Sequence, residues 1–450
     1  MPDSTPDRAI IYRNRANRCA AVWAPGSMAT VLLDKHQRLG LLLGLGAGIP
    51  PLAIYLTVKP PSWEVVGGAA GVAGALFIVM SMVFMLRFSR LTEHVGGLES
   101  MYRLHRKFAL TGYVLLLIHA FAITGGEWRA LNLTDKSWGF IAGWTAVAVF
   151  MATIHATFVL RPKGYALWRN LHWLAVIGYF LMVWHVVAYQ IKSWPLAPSL
   201  VLDFFLLLGL VAPALRYLVV DRGAGSLSFR VEQVNHPVHD VIDLHLAPTA
   251  GRMDIAPGQF VFARFMTSEN FSGCSHFHPF TVSSVLDEGR LRLSIRAAGH
   301  CTRQMQTLHE GAEARLQGPF GHLFENARHE SQVWIAGGIG ITPFLARARM
   351  IDSHGILVKL FYLYETEGTA AFISELNAIA IAKLNFEFFP IATRGLIQIP
   401  LSVLDAVLPP WNDKEYVLCG PPGLTDPVRA YLGRNGVTPA QIHEERFDFR

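Results

Sequence analysis

Two hydropathy rhythms divide the chain. In the first half the apolar positions come in long unbroken runs, at 39–58, 65–86, 104–125, 138–160, 166–192 and 200–219. Each is close to the roughly twenty residues an α-helix needs to cross a hydrocarbon core of about 30 Å, so six membrane helices are predicted. Pro50 and Pro51 should kink the first. Past Val220 the rhythm shortens. Segments 228–233, 241–246, 259–266, 280–286 and 291–297 read as strands between Pro, Gly and Asp turns, predicting a small antiparallel β-barrel of about 100 residues. Segments 332–337, 357–364, 385–391 and 415–419 then read as buried strands alternating with helices, a parallel, doubly wound α/β sheet. The expected layout is a tail at 1–38, a six-helix transmembrane bundle at 39–220, a barrel domain at 225–325 and a nucleotide-binding α/β domain at 330–450.

Composition supports that division. Hydrophobic residues make up 52% of 450 and charged residues 16%, too apolar a balance for an ordinary soluble chain. The formal charge of +6 calls for no nucleic-acid partner, because the basic residues gather at one side of the apolar runs. The loop after the second run holds Arg87, Arg90, Arg103, Arg106 and Lys107, and the loop after the fourth holds Arg161, Lys163 and Arg169. The loops after the first, third and fifth hold Lys59, then Arg129 and Lys136, then Lys192. Basic loops stay inside, which predicts a multi-pass protein of the cytoplasmic (inner) membrane with both termini in the cytoplasm. Residues 1–38 are basic and lack an apolar signal core, and so read as a cytoplasmic tail, with Met28 offering a second start.

Four histidines stand out against this apolar background. His105 and His119 are fourteen residues apart in the third run, a rise of about 21 Å that returns the side chain to within about 40° of its starting direction. His172 and His185 repeat the device in the fifth run at a spacing of thirteen, which on an ideal helix leaves them about 140° apart. Local overwinding near Gly178, or different angles of ring approach, is expected to absorb that mismatch. Ionisable groups in hydrocarbon are costly, and four in a two-by-two arrangement need a common cause. Two helices carrying an upper and a lower histidine each can hold two haems stacked across the bilayer, with His105 and His172 at the inner level and His119 and His185 at the outer. His155, in the fourth run, has no partner at matching spacing and reads as packing or hydrogen bonding. Cys19, Cys274, Cys301 and Cys419 show no CxxC or CxxCH spacing, which excludes a disulfide framework, a zinc ribbon and a covalently attached c-type haem, so the haems would be b-type.

The second half carries weaker signals that gain from their order. His278-Pro279-Phe280-Thr281 opens a barrel strand, and the Thr281 hydroxyl is a candidate contact for a flavin ring edge. Gly299-His300-Cys301-Thr302 stands where a strand gives way to a helix, with Arg296 just before it, a pattern suited to a pyrophosphate. Gly337-Gly338-Ile339-Gly340-Ile341-Thr342-Pro343 follows a strand and precedes a helix, giving the tight turn and close phosphate approach a dinucleotide needs. Pro343 suits the first helical turn. Cys419-Gly420-Pro421-Pro422-Gly423 ends the last long strand at the carboxyl edge of the sheet, where ligands bind. Cys419 is a candidate neighbour of a nicotinamide, or a small buried residue.

HPFT at 278–281, Arg296 with GHCT at 299–302, GPFG at 318–321, AGGIGITP at 336–343, CGPPG at 419–423 and the ending EERFDFR resemble the ferredoxin–NADP reductase superfamily. With six apolar runs and the histidine spacings, residues 39–450 resemble the ferric reductase and NADPH oxidase family, in its bacterial form. That resemblance implies FAD on the barrel, NADPH or NADH on the last domain, and two b haems in the helices. It implies that His278, Pro279, Phe280, Thr281, Arg296, Gly299 and Thr302 bind FAD, and that Gly337, Gly338, Gly340, Thr342, Cys419 and Gly420 line the nucleotide site. Phe447 would be the terminal aromatic that shields the flavin, with Phe449 as rival; Thr281, Cys419 and Phe447 would attend hydride transfer.

The implied activity is a transmembrane flavocytochrome b that passes electrons from cytoplasmic NAD(P)H to an acceptor on the outer face, such as a ferric chelate or dioxygen. A second reading makes the chain an electron conduit for a separate periplasmic reductase or for quinone. Three departures from the family pattern matter. GHCT stands where many relatives have Gly-Asp-Trp-Thr, closer to the plant-type reductases. Tyr364-Glu365 stands where NADPH users often place arginine, and an acid there suits a ribose diol better than a 2′-phosphate, with Arg394 as a rival phosphate partner. Ile123 stands where animal oxidases carry a further histidine, which removes one feature of a specialised oxygen site.

Overall fold

A computed structural model describes residues 63–123, 138–160, 165–193, 195–267, 271–274, 276–352, 355–394, 401–405 and 408–445. The first apolar run, the N-terminal tail and the terminal aromatics Phe447 and Phe449 lie outside the described residues. Among those described, five segments are long and apolar enough to cross a membrane: Val65–Val83, Gly97–Ile123, Trp138–Leu160, Leu167–Ile191 and Pro198–Val220. They are built from α1 (Trp63–Val83), α3 (Gly97–Ile123), α4 (Trp138–Leu160), the pair α5 (Tyr165–His172) and α6 (Leu174–Ser193), and α7 (Leu196–Leu215), with the short α2 (Ser89–His94) between the first two. α3 packs along α1, and α6 along α4. The α1–α3 crossing is close because Gly74 and Gly112 face each other: a Cβ on either would stand about 3 Å from the other's carbonyl oxygen.

The fifth run is not one helix. It breaks at Trp173, immediately after His172, and α6 starts afresh at Leu174. His172 and His185 therefore lie on separate helices, and the offset of about 140° expected of one continuous helix does not apply to them.

After α7 the chain enters a closed barrel of six antiparallel strands in the order β1-β2-β5-β4-β3-β6. The strands are β1 (Leu227–Val238), β2 (Val241–Ala250), β3 (Phe260–Phe265), β4 (His278–Val285), β5 (Leu291–Arg296) and β6 (Glu313–Phe320). Alternating inward residues such as Val231, Ile242, Leu244, Val261, Val282, Leu293 and Leu316 fill its interior. β6 is one strand more than the hydropathy pattern predicts. Its Gln317-Gly318-Pro319 stretch breaks the apolar alternation, yet it closes the barrel by pairing with both β1 and β3.

The last domain is a five-stranded sheet ordered β11-β10-β7-β8-β9, with β7 (Ser331–Gly337), β8 (Leu357–Tyr364), β9 (Phe386–Ala392), β10 (Glu415–Cys419) and β11 (Ile442–Glu444) all parallel. Successive residues serve opposite faces. Trp334, Ala336, Leu360, Tyr362 and Cys419 pack under α9 (Thr342–Met350) and α10 (Ile373–Ala382), while Ile335, Phe361, Leu363 and Leu418 pack under α11 (Pro422–Arg434). Helices on both faces make it the doubly wound sheet expected.

Barrel and bundle are joined by more than the chain. Arg87, 7% exposed, pairs with Asp221 at 2.9 Å and lies 4.1 Å over the Phe262 ring. Burial first, then the neighbouring Arg216, lower its pKa to about 10. Arg216 also pairs with Asp221 and donates to the Met85 carbonyl, and Gln317 of β6 donates to the Val220 carbonyl at 2.7 Å. An apolar seam of Leu98, Phe260, Phe262, Phe277 and Phe320, with Tyr102 against it, fills the space between.

Candidate functional site

The bundle brings the four histidines together in the pairs that the spacing predicts. The His105 and His172 ring centres are 6.2 Å apart, and those of His119 and His185 are 6.0 Å apart. Two metal–imidazole bonds of about 2 Å, with about 1.1 Å more from each ligating nitrogen to its ring centre, sum to about 6.2 Å. The two separations therefore match that of imidazoles sharing one metal ion. His119 Nδ1 donates to the Gly67 carbonyl, His185 Nδ1 to the Gly139 carbonyl and His105 Nδ1 to the Ser81 carbonyl, each at 2.8 Å. Such bonds fix the tautomer and leave Nε2 to act as ligand.

Sequence reasoning missed what seats the outer pair. Gly67 and Gly71 on α1, and Gly139 and Gly143 on α4, each form a G-x-x-x-G step. The first glycine of each step gives the carbonyl that holds the ring. The second gives the room: a Cβ on Gly71 would stand 2.6 Å from His119 Nδ1, and one on Gly143 would stand 2.5 Å from His185 Nδ1. The repeated spacing was visible, but small-residue steps also serve plain helix packing, as Gly74 and Gly112 do. The inner pair is seated differently. The Ser81 hydroxyl lies 3.1 Å from His105 Nδ1, and the Trp168 ring stacks on His172 at 5.2 Å while its Nε1 donates to Thr157. His155 points to the exposed side of α4 and bonds back to the Met151 carbonyl, the hydrogen-bonding role expected of it.

At the barrel, β4 carries His278, Pro279, Phe280 and Thr281, with Thr281 largely buried and paired with Phe260 of β3. Thr302 is a turn builder: its Oγ1 accepts from the N–H groups of Gly299 and Ala298 at 2.8 and 2.9 Å, so those donors are used within the turn. Arg296 ends β5, pairs with Asp240 at 2.6 Å, and its Nη1 lies 3.4 Å from where a Cβ on Gly338 would stand. The barrel arginine and the glycine turn of the last domain thus face each other. Cysteines behave differently from expectation at one place. Among the described residues Cys274 and Cys301 are disulfide-bonded, and Cys419 is free. The bonded pair is 27 residues apart in sequence, and the antiparallel pairing of β4 with β5, in the register Val282 opposite Leu293, sets the segment before β4 beside the segment after β5.

The two glycine turns at the carboxyl edge interlock. A Cβ on Gly340 would stand 2.5 Å from the Cys419 carbonyl oxygen, and one on Gly420 would stand 3.2 Å from the Gly337 Cα. Gly338, at φ +54, needs glycine for its left-handed backbone. Thr342 is buried and donates to the Ile339 carbonyl at 3.0 Å, fixing the same turn. Cys419 is free and fully buried, its thiol pushed up by burial and then by Glu445. Glu365 and Arg394 are both exposed at the ends of β8 and β9, and the Arg394 N–H donates to the Glu365 carbonyl at 2.9 Å.

A second residue missed from sequence is Glu445, buried where β11 ends. A Cβ on Gly321, at the end of β6, would touch its carboxyl. Burial, then the Glu99 charge on α3, push the carboxyl well above the usual range. The acidic pair before Phe447 was the available signal.

Comparison with known proteins gives two family matches. The ferric reductase like transmembrane component matches residues 70–183, and an FAD-binding domain matches residues 226–341. The chain is 26% identical over 278 residues to a superoxide-generating NADPH oxidase heavy chain of Dictyostelium discoideum, covering 53% of this chain and 50% of that one. It is 23% identical over 241 residues to a ferredoxin–NAD(P)⁺ reductase component of naphthalene dioxygenase and salicylate hydroxylase systems from a Ralstonia species, covering 51% and 71%. The chain thus spans half the length of the Dictyostelium oxidase. Flavohemoglobin from Malassezia yamatoensis aligns at a TM-score of 0.46 and 18% identity, over 85% of this chain and 98% of that one.

Proposed function

From a chain that belongs to the ferric reductase and NADPH oxidase family, a membrane NAD(P)H-linked flavoprotein oxidoreductase, we propose a transmembrane flavocytochrome b. It takes electrons from cytoplasmic NADPH or NADH and delivers them to an acceptor on the outer face of the cytoplasmic membrane. The observation that carries this reading is the pair of ring separations, 6.2 and 6.0 Å, each suited to one ion, with one histidine of each pair on α3 and the other on α5 or α6.

His105 and His172 would hold the inner b haem, and His119 and His185 the outer. Ligation by two histidines each would leave no open position on iron and would favour outer-sphere transfer to the acceptor. The flavin supplies conversion of a two-electron hydride into single electrons, and the haems supply a route across the bilayer. Thr281 and the β4 backbone would meet the flavin ring, and Arg296 with the Gly299–Thr302 turn would meet its pyrophosphate. Gly337, Gly338, Gly340 and Gly420 would admit the phosphates of the nicotinamide nucleotide, with Cys419 behind them. Glu365 would favour a ribose diol and Arg394 a 2′-phosphate, so both nucleotides are served from one edge. Phe447 would cover the flavin until nicotinamide displaces it, with Phe449 as rival.

Pyridine haemochrome analysis of the purified chain is expected to return two b haems. His105→Leu should remove one and leave flavin content unchanged; a wild-type content of one haem or none sinks the reading. The conduit alternative, feeding a periplasmic reductase or quinone, is separated by NAD(P)H consumption with a ferric chelate or dioxygen as sole acceptor.

A further inference from the structure

The two segments proposed to cradle the flavin flank the β4–β5 hairpin and are tied together a second time by a disulfide. Cys274 lies in the loop before β4, and Cys301 lies on α8 (His300–Gln304). Their Cα atoms are 6.2 Å apart, within the range a disulfide spans. The ring it closes contains the whole of β4 and β5, and with them His278, Thr281, Arg296 and Gly299. Cys274 is 6% exposed and packs with Phe271 in the barrel core, while Cys301 is half-buried at its margin. His278 Nε2 lies 3.0 Å from Cys274 Sγ.

We propose that Cys274–Cys301 is a reversible dithiol–disulfide switch acting on the flavin cradle, with a cytoplasmic dithiol as its reductant. The inference rests on the cytoplasmic placement of this module and on the FAD reading given above. In a compartment that keeps thiols reduced, a lasting disulfide is the exception and a responsive one the commoner case. Accessibility decides which sulfur is attacked. A thiolate of the reductant forms a mixed disulfide at Cys301 Sγ, the Cys274–Cys301 bond breaks, and Cys274 leaves as a thiolate that accepts a hydrogen bond from His278 Nε2–H. The second thiol of the reductant then closes its own disulfide and releases Cys301. The reductant loses two electrons and two protons, and the cysteine pair gains them. Afterwards the turn at Gly299 keeps its Thr302 hydrogen bonds but is no longer tethered to the loop that leads into His278. Cys419, free and fully buried in the core of the last domain, takes no part.

The test is differential alkylation of the full chain in detergent, poised across a series of dithiol/disulfide buffers and read by mass spectrometry, with FAD affinity measured at each poise. Cys274 and Cys301 should pass together and reversibly from protected to alkylated, and FAD Kd should rise about tenfold as they do. Cys274→Ser and Cys301→Ser should show the weaker affinity at every poise. Reversible reduction with FAD Kd unmoved overturns the switch alone. Cysteines that alkylate at every poise also overturn it. If such thiols instead retain Zn(II), the trio with His278 is a metal site. Absence of FAD binding at every poise overturns both the switch and the flavin reading.

Discussion

The His119–His185 and His105–His172 pairs reach nearly the same geometry and share backbone-carbonyl acceptors at three of the four rings, but differ in what else seats them. The outer pair is seated by missing side chains: Gly71 and Gly143 leave room for rings that bond to the Gly67 and Gly139 carbonyls. The inner pair is seated by side chains that are present, the Ser81 hydroxyl beside His105 and the Trp168 ring on His172, with a helix break next door. A site made of absence tolerates no addition, because the ring, its carbonyl and the facing helix are all fixed. A site made of contacts can lose one and keep the rest.

The largest effect should therefore follow from the smallest addition. Gly143→Val puts methyl groups where the His185 ring lies, and haem content should fall from two per chain to about one. Retention of two haems would show that the ring has room to spare. Deletion at the inner pair should do less. Trp168→Ala removes a stacked ring worth about 0.5–1.5 kcal/mol, so titration of apo protein should show the inner site weakened by about tenfold at most. A loss as complete as that of Gly143→Val would erase the contrast.

The third difference is one of pH, and is the smallest. Glu445 lies toward the Glu99 end of α3, the end that carries His105, and its carboxyl is raised by burial and then by Glu99. A raised folded pKa means that the fold binds this proton more tightly than the unfolded chain does. The stability it lends is complete below the unfolded value of about 4.3 and is lost as pH rises through the folded pKa. Glu445→Gln should match the wild type near pH 5 and release flavin at a higher temperature than the wild type near pH 9. A parallel shift at both pH values would mean that Glu445 acts through packing alone.

Much of this was legible in the sequence because it repeats. Spacings of fourteen and thirteen predict both pairs, and period-two runs predict five of the six barrel strands. The rest depends on what lies across a contact. The break at Trp173 follows no proline or glycine, and His-Trp-Leu-Ala reads as continuous helix. Gly71 and Gly143 become meaningful only when the facing ring is known. Cys274 and Cys301 become neighbours only when the register of the β4–β5 hairpin is known.

The clamp of Arg87 and Arg216 on Asp221, with Gln317 on the Val220 carbonyl, bears on kinetics. Redox modules on loose tethers must swing between donor and acceptor, and their turnover then slows as the medium thickens. Here the barrel is bolted to the end of the helix bundle, with Tyr102 one turn before His105 already against its Phe260–Phe320 face. The flavin-to-haem step should therefore proceed at the same rate in buffer and in concentrated sucrose. Any drag from viscosity would fall on the arrival and departure of the nicotinamide nucleotide.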